Sequence, residues 1–442
     1  MHPGAPGGNG EVPAIGLNYG VRLLYPRDEG GLATVSLRRS PMKESRHPRT
    51  LRDRKTHLSP DAERLVAAAL GLSNSGSRIE DRYWERLLAT RLEKLLDSGH
   101  PQPLEDALDR LQQTDSEAYG ALIEAAEEAA EAVIVEIDGS RWECLLVAAP
   151  LVVWTRFRIP SGPVPVDAAA ALSAHWQAHV LAGGVRFRMV PYLYSIDQLP
   201  RDFSELRRLA RKLGQSAVTG QTPRLDLKAL PETADMFADS RFLLGVVAAP
   251  VGGAMFRWQQ LESSEHANRV TCLEEWISQG RPSVEPLLPG CGFECLLPDA
   301  YHLNLRESDR RVRPYAIDAT VHFLTHALDV EASELKASIA PFGNDRADEY
   351  RIGFSVGSGE EVAQGVVWPL LGAESEVDDP SPLSRIRDSL REAGLIEVKT
   401  WQDLTEPEFC EDCGAPLFPN QKGDVVHAEM PDDVEPDTTH FH

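Results

Sequence analysis

Apolar residues recur every three to four positions through the first patterned part of the chain, and from Ala132 onward at every second position. The helical part opens at Ser59, a hydroxyl suited to an N-cap, with Pro60 at the first helical position and Asp61 and Glu63 at the positive end of the helix dipole. Leu65, Ala68, Ala69 and Leu72 continue one face. In "IEDRYWERLLATRLEKLLDSG", Trp84, Leu87, Leu88, Leu92, Leu95 and Leu96 form a second stripe, and Gly99 supplies the stop. Two further helical patterns, near 102–113 and 116–131, complete an all-helical segment over 58–131 whose short connections predict antiparallel neighbours.

After Ala132, "AVIVEI" meets "RWECLLVAAP" through Asp138-Gly139, a strong signal for a two-residue hairpin. A helix near 166–182, a strand near 185–195 and a helix near 203–214 follow, and the same order then recurs. "LVAAPLVVW" starts at Leu146 and "VVAAPVGGA" at Val246, while Trp176 and Trp276 keep the same spacing of 100. Pro191-Tyr-Leu-Tyr194 and Pro298-Asp-Ala-Tyr301 lie 107 apart, with "GRPSVEPLLPG" absorbing the difference. Three landmarks in colinear order predict an internal duplication. A last stretch, 335–400, holds "EYRIGFSV", "QGVVWPLL", the helix "PLSRIRDSLREAGL" and the short strand "IEVKTW", and is expected to extend the second sheet. The predicted class is α+β: a helical segment 58–131, a first α/β unit 132–230, a related second unit 231–400, and a zinc-knuckle-like Cys/His tail 401–442.

Composition narrows the function classes. A chain of 442 residues exceeds what one hydrophobic core usually organises. Its formal net charge of -23, from 68 acidic against 45 basic groups, argues against a broad nucleic-acid surface. The exception is the N-terminal extension 1–57, rich in Gly, Pro and Arg and without a period, which is expected to be disordered. Its Arg38, Arg39, Lys43, Arg46, Arg49, Arg52, Arg54 and Lys55 would suit nucleic acid or an acidic partner, although a solvated tail is the plainer reading. Met42 would serve equally well as a first residue, which leaves open whether the preceding 41 are translated. Six cysteines (Cys144, Cys272, Cys291, Cys295, Cys410, Cys413) do not make a disulfide framework at this length and point to a reducing compartment. The N-terminus has no charged segment leading into an apolar one, and the longest apolar run, 144–154, is too short to span a bilayer. A cytoplasmic protein without membrane contact is expected.

The strongest chemical signal lies near the end. Cys410-x-x-Cys413-Gly414 spaces two thiolates about one turn apart, with a glycine that lets the backbone fold beneath a metal. "APLFPNQKGDVVH" then reads as strand, turn and strand, returning His427 towards the cysteines. His440 or His442 would fill the fourth place of a structural zinc site, which suits a tail too short to build its own core. Two alternatives stand beside zinc: a redox pair, against which Pro416 and Pro419 argue because they disfavour the helix that lowers a thiol pKa, and plain free thiols.

Weaker constellations accompany it. "GFSVG" fits a nucleophile elbow at Ser355, with Asp378 and His427 following in hydrolase order, but the next residues return as a strand where an elbow needs a helix. His175/His179 and His322/His326 each place two imidazoles on one helical face, with no third ligand nearby unless His302 folds in. Tyr194, Ser195, Asp197 and Arg201 lie at a predicted strand end, where ligands often bind but where Ser-x-Asp more often caps a turn. No Gly-rich phosphate loop is present.

The runs "LSPDAERLVAAALGLSNSGSRIEDRYWE", "LLVAAPLVVWTRFRIPSGP", "PYLYSIDQLP" and "CGAPLFPN..GDVVHAEMP" resemble a bacterial, mainly betaproteobacterial family known as domain of unknown function 2863. The resemblance runs from about Leu58 to His442 and implies one inherited architecture, with no activity or site residue attached. The leading reading is therefore a binding or scaffolding protein, for an unidentified protein or small-molecule ligand, with a structural zinc site. The rival is a hydrolase or other small-molecule enzyme whose site lies between the two α/β units, near Tyr194, Asp197, Tyr301 and His302.

Overall fold

Ser59 caps the first helix as its sequence requires, its hydroxyl accepting the Ala62 N–H at 3.2 Å. The computed structural model describes residues 58–430, apart from 201, 234–235, 261–266, 345, 372–373, 375–377, 379 and 412. The expectations for 1–57, for Arg201, and for His440 and His442 lie outside the described residues. Helices α1 (Pro60–Ser73), α2 (Arg78–Ser98), α3 (Gln102–Thr114) and α4 (Ser116–Glu131) follow one another with short loops, and α2 ends at Gly99 in the left-handed conformation, φ 69°. Their buried stripes, including Leu65, Leu88, Leu92, Leu104, Leu111 and Leu122, meet in one core that runs on to one face of a sheet.

That sheet begins with β1 (Ala132–Ile137) and β2 (Ser140–Trp154). Asp138 and Gly139 join them at φ 52° and 76°, the paired positive values of a tight hairpin turn. There follow β3 (Gly162–Pro163), α5 (Val166–His179), β4 (Arg186–Ser195), α6 (Phe203–Thr219), β5 (Ala238–Pro250), α7 (Arg269–Val284), β6 (Gly292–Cys295) and β7 (Asp299–Ala300). The strand order is β1-β2-β5-β4-β3, and β6 and β7 pair with β2 as well. In the central β2–β5 ladder Leu146 lies opposite Val246, and β2 and β5 are covered on both faces. Leu146, Ala148, Leu244 and Val246 point to the α1–α4 and α6 side, while Val147, Ala149, Leu243 and Val247 point to α5 and α7. Hence both strands read as nearly continuous apolar runs where a half-exposed strand would alternate. The two predicted α/β units thus contribute to one sheet, β4 of the first pairing with β5 of the second and β6–β7 of the second with β2 of the first. Tyr194 lies in β4 and Tyr301 opens a helix, so these two landmarks hold different places.

Helix α8 (Tyr301–Leu328) leaves the first sheet and reaches a second. The latter comprises β8 (Lys336–Phe342), β9 (Glu349–Ser355), β10 (Gln364–Pro369) and β11 (Glu397–Thr400) in the order β10-β9-β8-β11, with α9 (Pro382–Glu392) before β11. The stretch 335–400 therefore does not extend the preceding sheet, as expected from the sequence, but builds its own. The edge of β2 from which α8 departs is already filled by β1, β7 and β6. A separate core of Ile317, Val321, Ile339, Ile352, Phe354, Trp368 and Ile386 joins α8, α9 and this sheet. Among the described residues, no helix is long and apolar enough to cross a membrane.

Candidate metal centre

The tail packs on the face of the second sheet away from α8. Its hairpin, β12 (Phe418–Pro419) and β13 (Val425–Val426), lies over two glycines. A Cβ at Gly353 would stand 2.3 Å from the Pro419 carbonyl oxygen, and one at Gly365 would stand 2.4 Å from the Phe418 ring. Arg351, fully buried, donates from Nη1 to the carbonyls of Glu408 and Leu417 at 2.7 and 2.8 Å, and from Nε to Glu349 Oε1 at 2.6 Å. Its guanidinium stacks on Phe342 and Phe409. In the hairpin turn, Asn420 Oδ1 accepts the N–H groups of Lys422 and Asp424, and its Nδ2 donates to Glu360 O at 3.0 Å.

On this platform the Cys-x-x-Cys turn closes tightly. The Gly414 N–H donates to Cys410 O and the Cys410 N–H to Ala415 O, both at 2.8 Å, with Gly414 at φ 70°. A side chain at Gly414 would strain that left-handed turn. The chain then returns through β12 and β13, and a bridge between Ala428 and Val362 holds the extended segment that carries His427. The result is a cluster in which the ligand atoms of Cys410, Cys413 and His427 all lie within 4.8 Å of one another. Cys413 Sγ and His427 Nε2 are 3.2 Å apart. Two sulfurs and an imidazole nitrogen at this spacing suit a tetrahedral, borderline-soft cation such as zinc. The residues after Cys413 run into β12 rather than a helix, so the turn lacks the helix N-terminus that a low-pKa redox cysteine uses.

The other constellations resolve differently. Ser355 ends β9, and Gly357 and Gly359, at φ 60° and 76°, turn the chain into β10, so "GFSVG" is a hairpin and not an elbow. His179 Nδ1 meets Glu275 Oε2 of α7 at 3.2 Å, and the His175 ring stacks 5.9 Å from that of His179. His322 and His326 border an open groove of about 590 Å³ with Arg156, Asp329, Glu331 and Glu334. His302 sits about 30 Å from His322 along the same helix, from the 1.5 Å rise per residue, and cannot complete that pair.

Ser195 stands at the N-cap position of a short helical turn, where Gln198 Oε1 accepts its N–H at 3.0 Å, but its hydroxyl accepts from Thr233 at 3.1 Å instead of capping the turn. Tyr194, Tyr301 and His302 are all buried. Burial pushes the Tyr194 phenol up and the His302 imidazole down to about 3. The Tyr301 hydroxyl donates to Pro200 O at 3.4 Å, and the His302 ring packs against Tyr301 and Phe203. These side chains are held in packing contacts.

Sequence reasoning missed a pair of carboxylates, Glu127 buried and Glu131 half-buried. Glu127 and Glu131 of α4 face α8, where Arg306 Nη1 donates to both oxygens of Glu127 at 2.8 and 2.6 Å, and Glu131 Oε2 accepts the His302 N–H at 2.9 Å. Burial raises Glu127 to about 7 and Glu131 to about 8. Their signal was available, since both share a helical face with Ile123, Ala126 and Ala130.

No curated protein and no solved structure matches the chain. Residues 50–441 match the model of the family described as "Protein of unknown function (DUF2863)", and the chain, matched over most of its length, belongs to that family.

Proposed function

We propose that this protein is a cytoplasmic binding or scaffolding protein whose C-terminal element, 401–442, is closed by a structural zinc ion. Cys410, Cys413 and His427 are three of the ligands and His440 the fourth. The observation that carries this reading is the cluster of the three donors within 4.8 Å, two on a turn and one just after β13. Thiolate ligands survive in a reducing compartment, which supports the cytoplasmic setting. The body that presents the tail is read as a duplicated pair of α/β units, 132–217 and 240–330, with the helical segment 58–131 against one face and 335–400 as a separate sheet beside them. Support comes from Leu146 opposite Val246 within the β2–β5 ladder, where a two-fold relation between segments 100 residues apart would bring equivalent residues together. The enzyme reading is the weaker one, because Tyr194, Tyr301 and His302 are buried in packing contacts.

Elemental analysis of full-length protein purified without chelator tests the metal. One zinc per chain is expected, with loss in Cys410→Ser and Cys413→Ser variants. Native mass spectrometry of the same preparation should show a co-purified ligand or protein. Zinc-free protein would overturn the metal reading, and turnover of a co-purified metabolite would overturn the binding one.

A further inference from the structure

We propose that Glu429 is a positioning residue for the metal centre: its carboxylate accepts a hydrogen bond from the Nδ1–H of His427 and thereby presents Nε2 to the metal. This rests on the zinc reading above. The segment 427–429 is extended and held in place by the Ala428–Val362 bridge and by the Glu429 N–H, which donates to Val362 O at 2.8 Å. In an extended chain, residues two apart project to the same side, so His427 and Glu429 stand together by backbone geometry alone. Glu429 Oε1 lies 3.7 Å from His427 Nδ1, while Nε2 of the same ring faces Cys413 Sγ at 3.2 Å. The two nitrogens thus have opposite neighbours, a carboxylate for one and a thiol ligand for the other.

Glu429 is not one of the residues whose ligand atoms cluster within 4.8 Å, which places it behind the histidine rather than in the ligand set. A carboxylate in that place fixes the tautomer with the proton on Nδ1 and makes Nε2 a stronger donor. Its side chain is 85% exposed, so a small rotation suffices to close 3.7 Å to a hydrogen bond. Solvent exposure also means that the fold gains little from it, which separates a metal role from a structural one.

Competition with a chromophoric chelator tests this on full-length protein. Glu429→Ala should weaken zinc by about 10- to 100-fold, the usual consequence of removing such a partner, and Glu429→Gln, which keeps an acceptor without the charge, by less. The melting temperature of the metal-free variants should equal that of metal-free wild type. With Co(II) in place of zinc, the thiolate-to-metal absorption of Glu429→Ala should keep its intensity, because both sulfurs remain ligands. Unchanged affinity in Glu429→Ala, or a reduced thiolate band, overturns the positioning role while leaving the zinc reading intact. Wild-type protein that binds no zinc defeats that underlying reading instead.

Discussion

The indoles of Trp176 and Trp276 meet edge to face, 6.1 Å between centroids and 88° between planes, on the side of the sheet covered by α5 and α7. Both are fully buried, and each comes from the helix that follows one of the two central strands. Trp176→Ala or Trp276→Ala should cost about 3–5 kcal/mol through lost burial and an unfilled cavity. The double variant should lose less than the sum by about 0.5–1.5 kcal/mol, the worth of the ring pair itself. Denaturant unfolding of the four proteins measures both quantities, and strict additivity would show that the rings do not support each other.

Glu127 and Glu131 set a pH dependence of definite sign. Folding raises them from 4.5 to about 7 and about 8, so between these limits the folded chain holds protons that the unfolded chain has released. Their contribution is therefore most favourable at low pH, falls as pH rises above 4.5, and levels off beyond about 8. His302 works in the other direction: with its folded value at about 3 against 6.5, it costs stability as pH falls below 6.5. The difference between wild type and Glu131→Gln isolates the acid. Melting temperatures from pH 5 to pH 9 should show the variant gaining on wild type as pH rises, and a gain in the opposite direction would refute the assignment.

Arg351 is the post to which the tail is tied. Arg351→Met would leave Glu349 buried without its partner and would take a donor from the Glu408 and Leu417 carbonyls, of which Glu408 O keeps the Leu417 N–H at 3.1 Å. A loss of about 3–5 kcal/mol is expected from breaking such a buried pair. Replacing both partners, as Arg351→Met with Glu349→Leu, should cost less than Arg351→Met alone. Gly365→Val should release the hairpin by a different route, since a Cβ there already meets the Phe418 ring. Limited proteolysis read by mass spectrometry should find new cuts between 405 and 430 in each variant, and an unchanged digest would mean that the tail is held elsewhere.

Helix boundaries were legible because their signals are local: Ser59 and Pro60 at one end of α1, Gly99 at the end of α2, and Asp138-Gly139 between β1 and β2 each act within a few residues. Sheet partnership was not. Nothing in "VVAAP" says that β5 pairs with β2 of the earlier unit, and the filled edge of β2 that sends 335–400 into its own sheet depends on β1, β6 and β7 arriving from distant parts of the chain. At the candidate centre, the Cys410, Cys413 and His427 spacing was readable because turn and hairpin are local too. Arg351 was not readable as an anchor, since its carbonyl partners lie 57 and 66 residues away and its value comes from burial.

Chelation should loosen only part of the tail. A short Cys/His segment has too little core to fold unaided, which on sequence grounds predicts that the whole of 401–442 depends on zinc. The contacts divide it instead. The hairpin 418–426 is held by bonds that involve no ligand residue: Gln421 N–H to Gly359 O at 3.0 Å, Gln421 Nε2 to Ala337 O at 3.0 Å, Lys399 Nζ to Gln421 O at 2.7 Å, and Asn420 Nδ2 to Glu360 O at 3.0 Å. Phe418 adds a buried ring over Gly365. Cys413 is exposed, and the turn is braced by its own backbone bonds, by Leu417 N–H to Glu408 O at 3.1 Å and by the Phe409–Pro416 bridge, all close to the ligand residues. Stability in this region is therefore expected to be uneven, lowest at the turn and highest at the docked hairpin. Hydrogen exchange with and without a zinc chelator should show faster exchange of the Gly414 and Cys410 amides on metal removal, while the Gln421 and Asn420 amides stay protected. Equal deprotection of all four would mean that zinc, and not Arg351 and the glycine seat, holds the hairpin on the sheet.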